Sequence, residues 1–235
     1  MAERNIKKKV MTVMGTIILL FDFNSVASAT PLNPHGYAEQ TLTLTNYGGY
    51  FASAYASSNL NSNWSSTNNS RFITNELWQR FTDANEWIEV GDVDGVLNSA
   101  YWNGHYTAYQ KYNSSTFQYE YHEYTVGTKS PTGTHNFEIQ YTGNSSPWSS
   151  YVDYNKAYDF TLTNTSSPSI DVGIETNDSA ATFTNNIYDT GMQRKDSVNS
   201  WHNWTSTNVI NNDYNSLGWT SLFNTTTDRI TFSHP

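Results

Sequence analysis

Trp87-Ile88-Glu89-Val90-Gly91 sets a carboxylate among large apolar residues, and Val172-Gly173-Ile174-Glu175 repeats the pattern in the last third of the chain. An extended chain turns successive side chains to opposite faces. Ile88 and Val90 therefore share one face, while Trp87 and Glu89 share the other. Val172 and Ile174 can likewise enter a core with Glu175 pointing away from it. Two strands of this kind can bring two glutamates together on one wall of a cleft.

Similar alternation recurs along the chain. Candidate strands are 40–45, 50–56, 72–81, 86–91, 101–112, 117–126, 134–141, 149–154, 157–164, 169–176, 183–188 and 229–233. Clusters of Asn, Gly, Ser and Pro separate many of them, for example at 59–69, 127–133, 142–147 and 164–168. Many short strands at this spacing predict an all-β, antiparallel two-sheet sandwich rather than βαβ units. Residues 75–84 alone suggest a helix, without a clear 3.6-residue period. No strict repeat and no Pro-rich linker divides the chain, so residues 30–235 are expected to form one β-sandwich domain.

The N-terminal 29 residues read differently. Arg4, Lys7, Lys8 and Lys9 precede a short apolar run from Val10 to Phe21, and Ala27-Ser28-Ala29 supplies a small-residue cleavage site. This is the pattern of a secretory signal peptide cleaved near Ala29, so a secreted, extracellular protein is expected. The chain carries 12 Lys+Arg against 21 Asp+Glu, a net charge of −9, and that leader holds four of the basic residues. So acidic a surface argues against nucleic acid or anionic membranes as partners. With no cysteine, the protein has no disulfides and must rely on its core. Its 17 Tyr, 8 Trp and 11 Phe argue against disorder and for strands.

Signatures of familiar chemistry are missing. There is no Gly-x-Ser-x-Gly elbow, no His-Glu-x-x-His and no phosphate-cradling glycine loop, and thiol catalysis is excluded. The six histidines (35, 105, 122, 135, 202 and 234) are scattered, each reading as a surface or hydrogen-bonded residue. Asp92-Val93-Asp94-Gly95 starts like a calcium loop but lacks the downstream acid, and is read as a strand-ending turn. No metal and no cofactor is expected. Carboxylate pairs remain. Two carboxyls close together cannot both ionise easily, so one keeps a proton, and such a pair can serve as base and acid.

The segment Phe117-Gln118-Tyr119-Glu120-Tyr121-His122-Glu123-Tyr124 places Phe117, Tyr119, Tyr121 and Glu123 on one face. It suits a strand lining a binding groove, or equally one whose rings cover a sandwich surface.

In the order of these parts, the chain resembles the glutamic peptidases of the eqolisin type and their neprosin-like relatives. Glu89-Val90-Gly91 behind Trp87 resembles their early acid- or glutamine-bearing strand. Phe117–Glu123 resembles an aromatic strand ending in an acid, and Asp171–Glu175 the strand of the catalytic glutamate. The resemblance implies a jelly-roll, concanavalin A-like sandwich, with Glu175 as general base for water and Glu89 polarising the scissile carbonyl. Trp87, Trp102, Tyr119, Tyr121 and Glu123 would bind substrate. The eqolisin partner is Gln, so Glu89 fits the neprosin-like arrangement better. These expectations describe a monomeric endopeptidase working at acidic pH on a peptide. The competing expectation is a non-catalytic module that binds a polysaccharide on rings such as Tyr101, Trp102, Tyr119, Tyr121, Trp148 and Trp201. A glycoside hydrolase using the same two glutamates is a third.

Overall fold

The computed structural model describes residues 35–41, 47–54, 57–82, 85–143, 145–162, 167, 169–184, 187–204, 207–212 and 219–233. The expected signal peptide lies outside them. Antiparallel pairing builds two sheets. The first runs β15 (Thr207–Asn212), β1 (His35–Thr41), β11 (Ser169–Thr176), β4 (Phe72–Arg80), β5 (Trp87–Leu97), β6 (Ala100–Asn113) and β7 (Gln118–Lys129). The second runs β10 (Asn155–Phe160), β9 (Trp148–Val152), β8 (Thr134–Tyr141), β2 (Gly48–Ala54), β13 (Ile187–Lys195), β17 (Arg229–Ser233) and β16 (Thr220–Asn224). A short β14 (Trp201–Asn203) pairs with β13, and β3 (Leu60–Asn61) pairs with β12 (Thr182–Phe183). The chain crosses repeatedly between the sheets, giving an antiparallel β-sandwich of jelly-roll type.

The alternation explains the layers. Leu77, Ile88, Val90, Val172 and Ile174 turn inward and join Phe51, Phe137, Trp148 and Phe160 in one buried cluster. Phe51 and Phe137 stack at 5.1 Å, and Phe81 meets Trp148 edge-on at 5.0 Å. Each fully buried side chain of this size contributes about 1.5–3 kcal/mol relative to exposure, so the rings supply cohesion without disulfides. The interior is not apolar throughout. Asn75 Nδ2 of β4 donates to Ser53 Oγ of β2 and to Asp189 Oδ1 of β13, both at 2.9 Å, linking the sheets through a buried polar patch.

Several expectations need correction. Residues 75–80 belong to β4 rather than a helix, because Thr74, Glu76 and Trp78 face outward while Ile73, Asn75 and Leu77 face the core; residues 83–84 lie outside the described set. Asp92–Gly95 does not end its strand. β5 continues to Leu97, with Asp92 wholly buried on the inward face. The strand expected at 183–188 is in fact split between β12 and the longer β13. Trp148 is fully buried and offers no platform for a sugar.

Candidate active site

On the outer face of the first sheet, one row of residues crosses five strands. Tyr37 of β1 sits opposite Gly173 of β11, Gly173 opposite Glu76 of β4, Glu76 opposite Gly91 of β5, and Gly91 opposite Tyr106 of β6. The two glycines leave room for both phenols to lean towards Glu76. A Cβ at Gly173 would lie 1.9 Å from the Gly36 carbonyl oxygen and 2.4 Å from the Tyr37 ring. At Gly91 it would lie 2.1 Å from the Asn75 carbonyl oxygen. Backbone, not a flexible side chain, bars any larger residue at both places.

Glu89 and Glu175 flank this row. Tyr37 Oη lies 3.0 Å from Glu175 Oε2 and 3.4 Å from Glu76 Oε1. Tyr106 Oη donates to Glu76 Oε2 in a very short bond and lies 3.3 Å from Glu89 Oε2. A phenol has one proton to give. If each Tyr donates to its nearer partner, Tyr37 serves Glu175 and Tyr106 serves Glu76. The remaining contacts then require Glu76 to donate to Tyr37 and Glu89 to donate to Tyr106. The row reads Glu89, Tyr106, Glu76, Tyr37, Glu175, with protons on the first two carboxyls and the charge on Glu175.

The electrostatics agree. Burial raises the Glu76 carboxyl from the ordinary glutamate range to about 8, with the Glu175 charge adding to the rise; hydrogen bonding with Tyr106, Thr74 and Tyr37 offsets part of it. Burial likewise pushes Glu89 well above that range, helped by Glu76 and Glu175. Tyr37 and Tyr106, buried beside carboxylates, are raised far enough to keep their protons.

Glu76, Glu89, Tyr106 and Glu175 line a cavity of about 440 Å³, walled also by Phe72, Trp87, Val93, Leu97, Gln110 and Tyr121. Trp87 packs against Tyr121 with ring centres 5.5 Å apart, and Tyr121 donates to Glu123 at 2.7 Å. Glu89, Glu175, Trp87, Tyr121 and Glu123 from the sequence reading thus share one cavity. Tyr119 lies farther along β7 against Tyr112, and Trp102 folds over Gly104 with its Nε1 donating to the His105 carbonyl at 2.9 Å; neither lines it. Tyr101 is tied to Asp94 and Trp201 belongs to the other sheet. Glu89 and Glu175 do not form a direct pair, because β4 runs between their strands and Glu76 stands between them. Sequence reading missed Glu76, Tyr37 and Tyr106, the first because its segment looked helical. Glycine opposite glutamate on two flanking strands was the available signal. Nor are the histidines all isolated, since His105 and His135 meet with ring centres 4.6 Å apart.

No protein-family model matches the chain, and no curated protein matches it. Among solved structures, porphyranase B from Zobellia galactanivorans is similar over 60% of this chain at 8% identity, with a TM-score of 0.34. The match spans 63% of that chain, and so partial a likeness adds nothing to the reading of the cavity.

Two outcomes follow from the row. Gly173→Ala is expected to cost about 1–3 kcal/mol by overpacking, lowering the midpoint of thermal unfolding by roughly 2–4 °C for each kcal/mol; an unchanged midpoint would contradict the close approach. From the ordinary glutamate range up to about pH 8, the folded chain holds a proton on Glu76 that the unfolded chain has released. Stability should therefore fall as pH rises through that interval. Glu76→Gln, an uncharged replacement able to donate and accept, should raise the midpoint more at about pH 8 than at about pH 5. A fall in stability as steep in the variant as in the parent chain would refute the assignment.

Proposed function

We propose that this is an exported hydrolase that cleaves peptide bonds with a glutamate-activated water, in the manner of the glutamic peptidases it resembles. The observation that carries this reading is the proton-bearing row ending on Glu175 in an open, ring-walled cavity. Glu175 takes a proton from water as the water oxygen attacks the scissile carbonyl carbon. As substrate binds, protonated Glu89 turns its O–H from Tyr106 to the carbonyl oxygen and stabilises the charge that develops there. When the tetrahedral intermediate collapses, Glu175 returns the proton to the amide nitrogen and the C–N bond breaks, with one water consumed. Glu76 does not touch substrate in this scheme. It is a positioning residue that holds both phenols, while burial is the main reason Glu89 keeps its proton.

The row also sets the pH range. Activity requires an ionised Glu175 together with protonated Glu76 and Glu89. It should therefore extend from acidic pH towards neutrality and fall as pH rises through about 8, where Glu76 loses its proton. Phe72, Trp87, Leu97 and Tyr121 favour a large apolar or aromatic substrate side chain.

A second reading rests on Trp87 and Tyr121, whose rings open on the cavity and could stack on a sugar of a polysaccharide without turnover. Peptide digestion separates the two. Glu175→Gln should lower kcat about 10²–10⁴-fold while leaving substrate binding intact. Glu76→Gln should retain activity at acidic pH and move the alkaline limb. Binding of a glycan without product, lost in Trp87→Ala and indifferent to Glu175→Gln, would replace the peptidase reading. Glycan cleavage products would instead assign the glutamates to glycoside hydrolysis.

A further inference from the structure

We propose that His105, His135 and Asp153 form a zinc site that ties the two sheets together. His105 comes from β6 of the first sheet, His135 from β8 of the second, and Asp153 from the turn between β9 and β10. One ligand atom from each lies within 4.8 Å of the others. The site occupies the polar end of the sandwich interior, on the opposite side of the first sheet from the glutamate cavity.

Each ligand is held from behind. Asp92, wholly buried, lies 2.6 Å from His105 Nδ1. That carboxylate accepts a hydrogen bond from Nδ1–H and leaves the Nε2 lone pair for a cation, the usual arrangement behind a metal-bound histidine. His105 Nε2 has no hydrogen-bond partner among the described residues. The register of β6 against β7 shifts between Gly104 and His105, so two residues, Gly127 and Thr128, are passed over beside the ring. A Cβ at Gly127, where φ is +68°, would stand 3.9 Å from His105 Cδ2, the carbon bonded to Nε2. Asp153 is fixed by the Asn136 backbone, whose N–H donates to Oδ1 at 3.0 Å.

His135 supplies the observation that points to a ligand. Its Nε2 lies 3.2 Å from the Thr132 carbonyl oxygen, and its Nδ1 lies 2.7 Å from Asp153 Oδ2. Both neighbours are acceptors. The neutral ring donates either from Nδ1 to Asp153 or from Nε2 to Thr132, and in the second tautomer the Nδ1 lone pair and the carboxylate face one another with room for a cation to join them. With a ring nitrogen of His105 within 4.8 Å of both, the cation accounts for all three groups at once. Asp153 is 43% exposed, so Oδ2 can swing about the anchored Oδ1 to zinc–ligand distance, about 2.0–2.2 Å. Two imidazoles and one carboxylate suit zinc, whereas calcium demands six to eight oxygens. A metal joining both sheets would add folding energy to a chain that has no disulfide.

The test uses the purified full chain, stripped with chelator and free of any affinity tag. Zinc chloride should bind one per chain by calorimetry. At roughly 100-fold above the dissociation constant, it should raise the thermal midpoint by about 5–10 °C. Cobalt(II) in its place should give the visible absorption of a four-coordinate site. His135→Gln and Asp153→Asn lie towards the surface, where folding tolerates them, and each should bind zinc at least roughly tenfold more weakly. No zinc-dependent shift in the parent chain would overturn the proposal and leave His135 as a hydrogen-bonded partner of Asp153. Affinity within that tenfold margin in either variant would also overturn it, and would place the zinc elsewhere on the chain.

Discussion

Two phenols stand between three carboxyls on the outer face of this sandwich, and each phenol has a single proton to share. Every property of the cavity follows from that shortage. Glu76 is 2% exposed, with no cation among its hydrogen-bond partners. Burying it ionised would cost several kcal/mol, so it stays protonated and donates to Tyr37. Burial, with the neighbouring carboxyls adding to it, holds Glu89 in the same state. Glycine at 91 and 173 is what lets the phenols come close enough to connect the carboxyls. An alanine at either place would drive the strands apart and uncouple them.

How much of this could be read from the residues depends on which face they occupy. Ile88, Val90, Val172 and Ile174 obey a two-residue period against an apolar core, and the period alone assigned Glu89 and Glu175 to the opposite face. β4 was harder. Phe72–Arg80 is buried on both faces along most of its length, so Asn75, Glu76 and Gln79 fill positions that a half-buried strand would give to water or to apolar groups. Polar residues on both faces erase the alternation. The same holds for Asp92, which resembles a turn until the opposite sheet brings Asp189 and His135 near it, and for Asp94, which is held by Ser62, Tyr101 and Asn103. β15 and β16 were missed because Asn, Thr and Ser supply most of their residues, and β14, Trp201–Asn203, is too short to show a period. Bringing distant strands together is what pairs residues such as Tyr37 and Glu175, 138 positions apart, and no local pattern encodes it.

The first sheet thus has two unlike polar centres, one on each face. Outside lies the proton-bearing row that opens on the cavity. Inside, Asn75, Asp92, His105 and Asp189 interrupt a core otherwise built from rings and branched aliphatic chains. Burial raises Asp189 to about 8 and lifts Asp92 as well, so the interior, like the outer row, limits its cost by keeping some carboxyls neutral or paired. A purely apolar filling would be as stable or more so. That the chain retains charged and imidazole groups there argues for a ligand, and the convergence of two histidines and Asp153 says where.

The central claim is that two of the three glutamates keep their protons at neutral pH. Carbon-13 NMR of the side-chain carboxyls reads this directly, with resonances assigned by Glu76→Gln and Glu89→Gln. At neutral pH the Glu76 and Glu89 carboxyl carbons should still resonate where protonated acids do, and Glu175 where carboxylates do. Finding all three in the ionised position under those conditions would contradict the account.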